Sequence, residues 1–449
     1  MKPSSPSTNT NLSIIIGLWV GLTLLAGGGV FALVYWVMGG FDTAVEAPTP
    51  QPDQPLVLAT APLPTTAPAT PVPNTTKVVC NYAPLAPSKF GYGIQSHVYV
   101  GQTDFEHWMS VIRGLGLQWV KIQVRWHDLE PQPGQINWSF LDGAMQSACS
   151  VGVRVMFSVV AAPEWTQANP MPLLENGEGV APPDDYQVFA NFLGQLVEHY
   201  PGQIRAIEVW NEQNLVREWN TAGGVNAAEY IKLLQAAHAA IKARDKGITV
   251  ISGALSPTGV NCNVSFPNCQ PSGRPIVVDD VTYLKAFIDG GGLNYADCVG
   301  THSNGTNLPP LSDGQNPPPH TDQIFLGPWN SPHYSWALKS QVETYAKLLN
   351  GQKQQCLTEF GYASAIEGKF RPGFEFAVDT TEEEQGQYLV EAYNWMRDSG
   401  LVKMAFLFNL DYAPKGGEPD KDDNVIFSIL NKSGLPRPAF DAISKMDKP

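Results

Sequence analysis

Ile207-Glu208-Val209-Trp210-Asn211-Glu212-Gln213-Asn214 is an apolar run that ends abruptly in polar side chains. A short apolar run of this kind reads as a strand buried on both faces, as in a parallel sheet. Seven comparable runs lie along the chain, at 90–97, 119–126, 154–160, 248–254, 298–302, 356–360 and 404–409. Apolar residues at helical spacing fill the intervals, at 103–115, 139–149, 184–200, 227–243, 281–289, 335–349, 382–399 and 438–446. Eight strand–helix units in order are the count of a (β/α)8 TIM barrel. The longest insertions, 161–184, 256–280 and 303–334, all follow strands. They therefore belong at the C-terminal rim, where barrels of this type build their sites.

The rim is where chemistry is sought. The fourth strand ends at Glu212, and the seventh, Cys356-Leu357-Thr358-Glu359-Phe360-Gly361, ends at Glu359. Two carboxyls facing each other across a rim meet the needs of glycosidic bond cleavage. One protonates the leaving oxygen, and the other attacks the anomeric carbon or activates a water. Asn211, just before the first of them, is suited to hold a sugar 2-hydroxyl. Glu208 lies deeper on the same strand, on the face shared with Trp210 and Glu212 by simple alternation, and reads as a buried, paired structural acid. Neither metal nor cofactor is expected, because two carboxyls supply both roles and no Cys/His spacing suggests zinc.

Outside the barrel the sequence divides sharply. Residues 1–13 read as a short cytoplasmic tail. Residues 14–38 carry no charge and are long enough to cross a ~30 Å hydrocarbon core, with Trp19, Tyr35 and Trp36 as interfacial anchors. Lys2 on one side and Asp42 and Glu46 on the other favour an N-in, single-pass orientation. A cleaved signal is the alternative, with secretion as its result. Residues 39–79 form a disordered Pro/Thr-rich linker that prefers polyproline II and reads as a stalk of up to ~100 Å. Residues 80–449 form the barrel domain, placed outside the cell. All six cysteines lie beyond the apolar segment, on the oxidising side. Cys262 and Cys269 bracket a short loop and are expected to pair, while spacing leaves the other four open. The balance of 42 acidic to 28 basic residues, net −14, without a long basic patch argues against a nucleic-acid partner.

The eight-strand pattern, with WNE at strand four and TEFG at strand seven, resembles the clan A glycoside hydrolases, nearest to the family 39 and family 5 barrels. Residues 119–142 (WVKIQVRWHDLEPQPGQINWSFLD) are similar to the clan's strand-two and helix-two signature. Ala162-Pro163-Glu164-Trp165 resembles the loop after strand three, and 434–440 the return into the last helix. The resemblance covers about residues 88–446. It implies a retaining mechanism, with Glu212 as acid/base, Glu359 as nucleophile, Asn211 on the 2-hydroxyl and His302 steadying the pair. The chain departs from the pattern at three points. Lys121 stands where the clan carries an arginine, with Arg125 on the same strand face as its expected compensation. Asn304 replaces the usual tyrosine after His302, so Tyr362 is the expected phenol near the nucleophile. The eighth strand ends Phe408-Asn409 where relatives carry a tryptophan platform.

Six tryptophans, Trp126, Trp165, Trp210, Trp219, Trp329 and Trp336, fall near strand ends or in rim loops. Trp165 and Trp329 are the expected stacking floors for a sugar face. Asp420, Asp422 and Asp423 lack the order of a calcium-binding loop and read as solvated. The expectation is a membrane-anchored, extracytoplasmic glycosidase of β-linked poly- or oligosaccharides. The competing readings are a catalytically silent carbohydrate-binding barrel and a transglycosylase using the same intermediate.

Overall fold

A computed structural model describes residues 80–449, apart from 87, 99–103, 175–178, 259–273, 306 and 318–331. The expected anchor and stalk, the Cys262–Cys269 pair and Trp329 lie outside the described residues. Among the described residues, no helix is long and apolar enough to cross a membrane.

Eight parallel strands alternate with helices. They are β1 (Gly91–Gln95), β2 (Trp119–Arg125), β3 (Arg154–Val160), β4 (Ile204–Val209), β5 (Thr249–Ser252), β6 (Val299–Gly305), β7 (Gln355–Tyr362) and β8 (Val402–Leu407). The intervening helices are α1 (Phe105–Gly114), α2 (Ser139–Val151), α3 (Tyr186–His199), α4 (Ala227–Arg244), α5 (Asp280–Asp289), α6 (Leu338–Leu349) and α7 (Glu382–Ser399), with α8 (Pro438–Lys445) after β8. The spatial order β5-β4-β3-β2-β1-β8-β7-β6 is that of a barrel opened at one seam. Single bridges from Ile251 to Cys298 and from Leu255 to Thr301 span that seam, so the barrel is nearly closed. Gly300 makes the approach possible, since a Cβ there would collide with the Ser252 carbonyl.

Local signals explain where elements begin and end. Thr381 and Glu384 form a reciprocal capping box at the start of α7, and Gly400, at φ 67°, ends it. Asp104 caps α1 by accepting from the His107 amide at 2.9 Å.

Strand alternation sorts side chains into two cores. Outward residues such as Ile122, Phe157, Ile207, Leu357 and Leu407 pack against the helices. Inside the barrel, Trp119, Met156, Ala206, Ile251, Cys298, Cys356, Met404 and Phe406 form an apolar plug. Gly93 leaves the room that the Phe406 ring occupies. Above the plug the interior turns polar, with Lys121, Ser158, Glu208 and Thr358 all buried. The site therefore stands on a packed floor. Among the described residues two disulfides brace the domain, Cys298–Cys356 inside the barrel and Cys80–Cys149 tying the segment before β1 to α2. Bridges of this kind persist on the oxidising side of a membrane.

Candidate active site

The turn after β4 departs from strand geometry at once. Trp210 and Glu212 both adopt left-handed backbone, at φ 76° and 40°, a conformation that costs free energy and collects at functional sites. Alternation fails here, which corrects the expectation that Glu208, Trp210 and Glu212 share one face. Trp210 swings outward and packs edge-on against Phe189 and Trp219, its indole N–H donating to the Glu218 carbonyl at 2.7 Å. Asn211 and Glu212 turn into the cleft. The turn is pinned to the end of β5: the Glu212 amide donates to Ala254 O at 2.8 Å, and the Gln213 side chain donates to Gly253 O at 2.8 Å. Asn214 bonds the Ser256 backbone in both directions.

Glu359 reaches the same space through an irregularity. Thr301 pairs with Leu357 and His302 with Glu359, so β7 has one extra residue, Thr358, opposite β6. Both Thr358 and Glu359 then face inward. Thr358 donates to Glu208 at 2.6 Å, and Lys121 donates to Glu359 at 2.8 Å. His302 Nδ1 lies 2.9 Å from Glu212 Oε1 and 3.7 Å from Glu359 Oε2, so these two oxygens are no more than ~6.6 Å apart.

The charges are arranged tightly. Burial raises the proton affinity of Glu359, but His302 and Lys121 outweigh it and hold the carboxyl below the ordinary range. Burial disfavours the charged form of Lys121, yet Glu359 and Glu208 push its pKa up. His302 follows the same pattern, raised by Glu359 and Glu212 against its burial. Glu212 is also buried, and Arg217, then His302, pull its pKa down. Glu208 sits beneath them with Lys121 at 3.6 Å and the Ala254 amide at 3.2 Å, a paired structural acid as expected.

The remaining expected residues are distributed unevenly. Lys121 lies in the carboxyl cluster, but Arg125 does not substitute for an arginine there. It is half-exposed on the cleft rim, bonded to His127 and near Asp128. Tyr362 points away from the site. It lies three residues beyond Glu359, on the outward face of β7, fully buried with its ring edge-on to Tyr388 of α7. Trp165 is half-buried against Trp126, and its indole N–H donates to Glu130 O at 2.9 Å. Trp126, Trp210, Trp219 and Trp336 are core residues.

The aromatic residues that line the cleft are instead Phe374, Phe408, Tyr412 and Phe427 around the ends of β7 and β8, with Phe408 and Phe427 largely buried in a small apolar cluster. Sequence reasoning weighed only tryptophans and missed them; the Phe408 position was the available signal. The cleft has a volume of about 1060 Å³ and also exposes Gln95, Asn211 and Asn304. Each of these carries a buried side-chain oxygen without a hydrogen-bond partner among the described residues. A second lobe of about 600 Å³ adjoins it, sharing Gln123, Arg125, Arg217, Glu218 and Asn424. Among the described residues, no group of three or more His, Cys, Asp or Glu side chains is placed to hold a metal.

A barrel with two carboxyls converging at the ends of β4 and β7 defines a class, the clan A type of glycoside hydrolase barrel. Residues 100–183 match a family 42 glycoside hydrolase model described as beta-galactosidase. A beta-xylosidase of Geobacillus stearothermophilus is 26% identical over 126 residues, covering 26% of this chain and 24% of that protein. The match thus spans about a quarter of the curated relative. Among solved structures, a family 39 glycoside hydrolase of Bacteroides cellulosilyticus superposes with TM-score 0.55 at 17% identity, over 80% of this chain and 64% of that one. A monomeric beta-xylosidase of Caulobacter crescentus gives 0.54 at 18% identity, over 81% and 69%. A beta-galactosidase of Marinomonas gives 0.52 at 12% identity, over 79% and 58%. The protein carries a (β/α)8 barrel that is similar to those of family 39 glycoside hydrolases, with a partial match to family 42.

Proposed function

We propose that this protein is a retaining glycosidase of β-linked oligo- or polysaccharides. The observation that carries the reading is the Glu212–His302–Glu359–Lys121 cluster on the floor of an open, polar and aromatic cleft. Glu359, kept ionised by Lys121 and His302, attacks the anomeric carbon. Glu212 gives a proton to the departing oxygen, then takes one from water as the glycosyl-enzyme is hydrolysed. The ~5–5.5 Å separation of a retaining pair fits within the limit set by His302, whereas the ~6.5–9.5 Å of an inverting pair reaches it only at its lower end. Asn211 takes the 2-hydroxyl, and Phe408 and Phe427 offer faces for the sugar C–H surface.

The two-lobed cleft supports action on chains with sugars on both sides of the cut. We extend the proposal to location: residues 14–38 anchor the chain, 39–79 hold the barrel away from the membrane, and the disulfide-braced domain works outside the cell.

The test is a panel of β-xylans, β-galactans, β-glucans and β-mannans, with products separated by chromatography beside Glu212→Gln and Glu359→Gln. Cleavage of one polymer, lost by several orders of magnitude in either variant, supports the assignment. An unchanged rate in both variants overturns the residue roles. Polymer binding without cleavage by all three forms replaces the reading with a carbohydrate-binding barrel. Products longer than the substrate identify a transglycosylase.

A further inference from the structure

Arg217 and Glu218 play no part in the scheme above, yet they stand against its proton donor. The Arg217 guanidinium bonds Glu212 Oε2, and its Nε lies 4.0 Å from Glu218 Oε1. One cation thus sits between two carboxyls. The three environments differ. Glu212 is 6% exposed and Glu218 19%, whereas the Arg217 side chain is 47% exposed and lines both lobes of the cleft. The groups that face Glu212 are His302 from β6, Glu359 from β7, Lys121 from β2, and Arg217 with Glu218 from its own loop.

Resting on the glycosidase reading, we propose that Arg217 is a latch on the proton donor, a positioning residue that holds the Glu212 carboxyl and moves to Glu218 when a sugar fills the second lobe of the cleft. A proton donor needs a proton, and a guanidinium on its carboxylate opposes one. Burial, with Glu212 and Glu359 adding to it against Arg217 and, from β2, Arg125, pushes Glu218 up to about 7. Below that pH, and before the exchange, Glu212 is the carboxylate and Glu218 holds the proton. After it the charge sits on Glu218 and the proton on Glu212, exchanged through solvent at the half-open rim. The pair carries one proton throughout, and no group is oxidised or reduced. Because Arg217 borders both lobes, a sugar entering the second meets the guanidinium directly. Occupancy of that lobe then primes the acid.

Two measurements separate this proposal from the reading it rests on. The first needs no turnover: carbon-13 NMR titration of the glutamate carboxyls in the full chain, with Glu212 identified by its loss in Glu212→Gln. The wild-type carboxyl is expected to titrate below the ordinary glutamate range. Arg217→Gln should raise it by at least one pH unit, and Arg217→Lys should restore the low value. Xylobiose, used as the probe, should raise it in wild type and not in Glu218→Gln. Glu212 titrating identically in wild type and Arg217→Gln overturns the latch, whatever the activity.

The second measurement compares kcat/KM against pH for 4-nitrophenyl and methyl β-xylosides and β-galactosides. Removing the latch in Arg217→Gln should move the basic limb up by at least one pH unit. It should also raise the methyl glycoside rate tenfold or more at pH 8, with little change for the nitrophenyl leaving group, which departs without a proton. Glu218→Gln should lower the methyl glycoside rate about tenfold and spare the other. Equal losses with both leaving groups overturn the latch. No turnover of any glycoside, with the NMR shifts as expected, overturns the glycosidase reading and leaves the latch standing.

Discussion

Replacing Lys121 by methionine keeps the length of the side chain and removes only the charge. Lys121 is fully buried, 2.8 Å from Glu359 and 3.6 Å from Glu208. At an effective dielectric constant of ~20, a unit pair at the shorter distance attracts by ~6 kcal/mol before desolvation. The net loss is smaller, because methionine has no desolvation cost of its own. What remains is two carboxylates inside the barrel without their shared cation, a situation that costs ~3–5 kcal/mol. In a domain of this size that lowers the melting temperature by ~5 °C. The pH dependence has a definite sign. The folded-state pKa of Glu359 is depressed, so its contribution is fully present above the unfolded value of ~4.3 and is lost as pH falls through the folded value. Lys121→Met raises that folded value. The stability gap between wild type and variant should therefore be widest near neutral pH and narrow in acid. Glu359 will also hold its proton to higher pH, which on the proposed mechanism moves the acid limb of kcat/KM upward. Differential scanning calorimetry from pH 4 to 8 and a pH–rate profile measure both effects. A variant that melts within 2 °C of wild type at pH 7, with an unmoved acid limb, would refute the electrostatic account of the cluster.

Three further outcomes are expected. Glu212→Gln should lose several orders of magnitude on a methyl glycoside but far less on a 4-nitrophenyl one, since only the poor leaving group needs a proton, and steady-state kinetics on the two decide it. Phe408→Ala should raise KM for oligosaccharides by roughly tenfold or less, on the ~0.5–1.5 kcal/mol scale of a ring contact, with kcat reduced less; equal kcat and KM for wild type and variant would remove Phe408 from the stacking floor. Each disulfide closes a loop of comparable length, at separations of 69 and 58 residues. Chain entropy then assigns ~4 kcal/mol to each, so Cys80→Ser and Cys298→Ser should each lower the urea midpoint clearly, and reduction of wild type should do the same.

Much of this was legible in one dimension. Strand positions follow from continuous apolar runs, and the structure keeps them within a few residues of expectation because a strand buried on both faces admits few polar side chains. Glu212 and Glu359 are found by asking which carboxyls end strands four and seven. Glu208, deep on β4, was recognisable as a paired acid.

The failures have equally plain causes. Tyr362 stands three residues beyond Glu359 in a regularly paired stretch of β7, so alternation alone turns it to the helices and nearness in sequence misleads. Trp210 leaves the face of Glu208 for a different reason, a left-handed residue that no hydrophobic pattern records. Tryptophans near strand ends were weighed as platforms, but an indole is the largest apolar surface available and most are drawn into the core. Phe374, Phe408, Tyr412 and Phe427 became the cleft aromatics because loops after different strands meet there.

Local chemistry and periodicity, which depend only on near neighbours in the chain, therefore determined the barrel, its strand order and the two carboxyls. Tertiary structure decided what depends on residues distant in sequence. It joined Lys121 to Glu359 across 238 positions and His302 to Glu212 across 90, and it set Arg217 against Glu212. Proton affinities belong to this second group, since each is a sum over charges and burial that only the folded chain brings together.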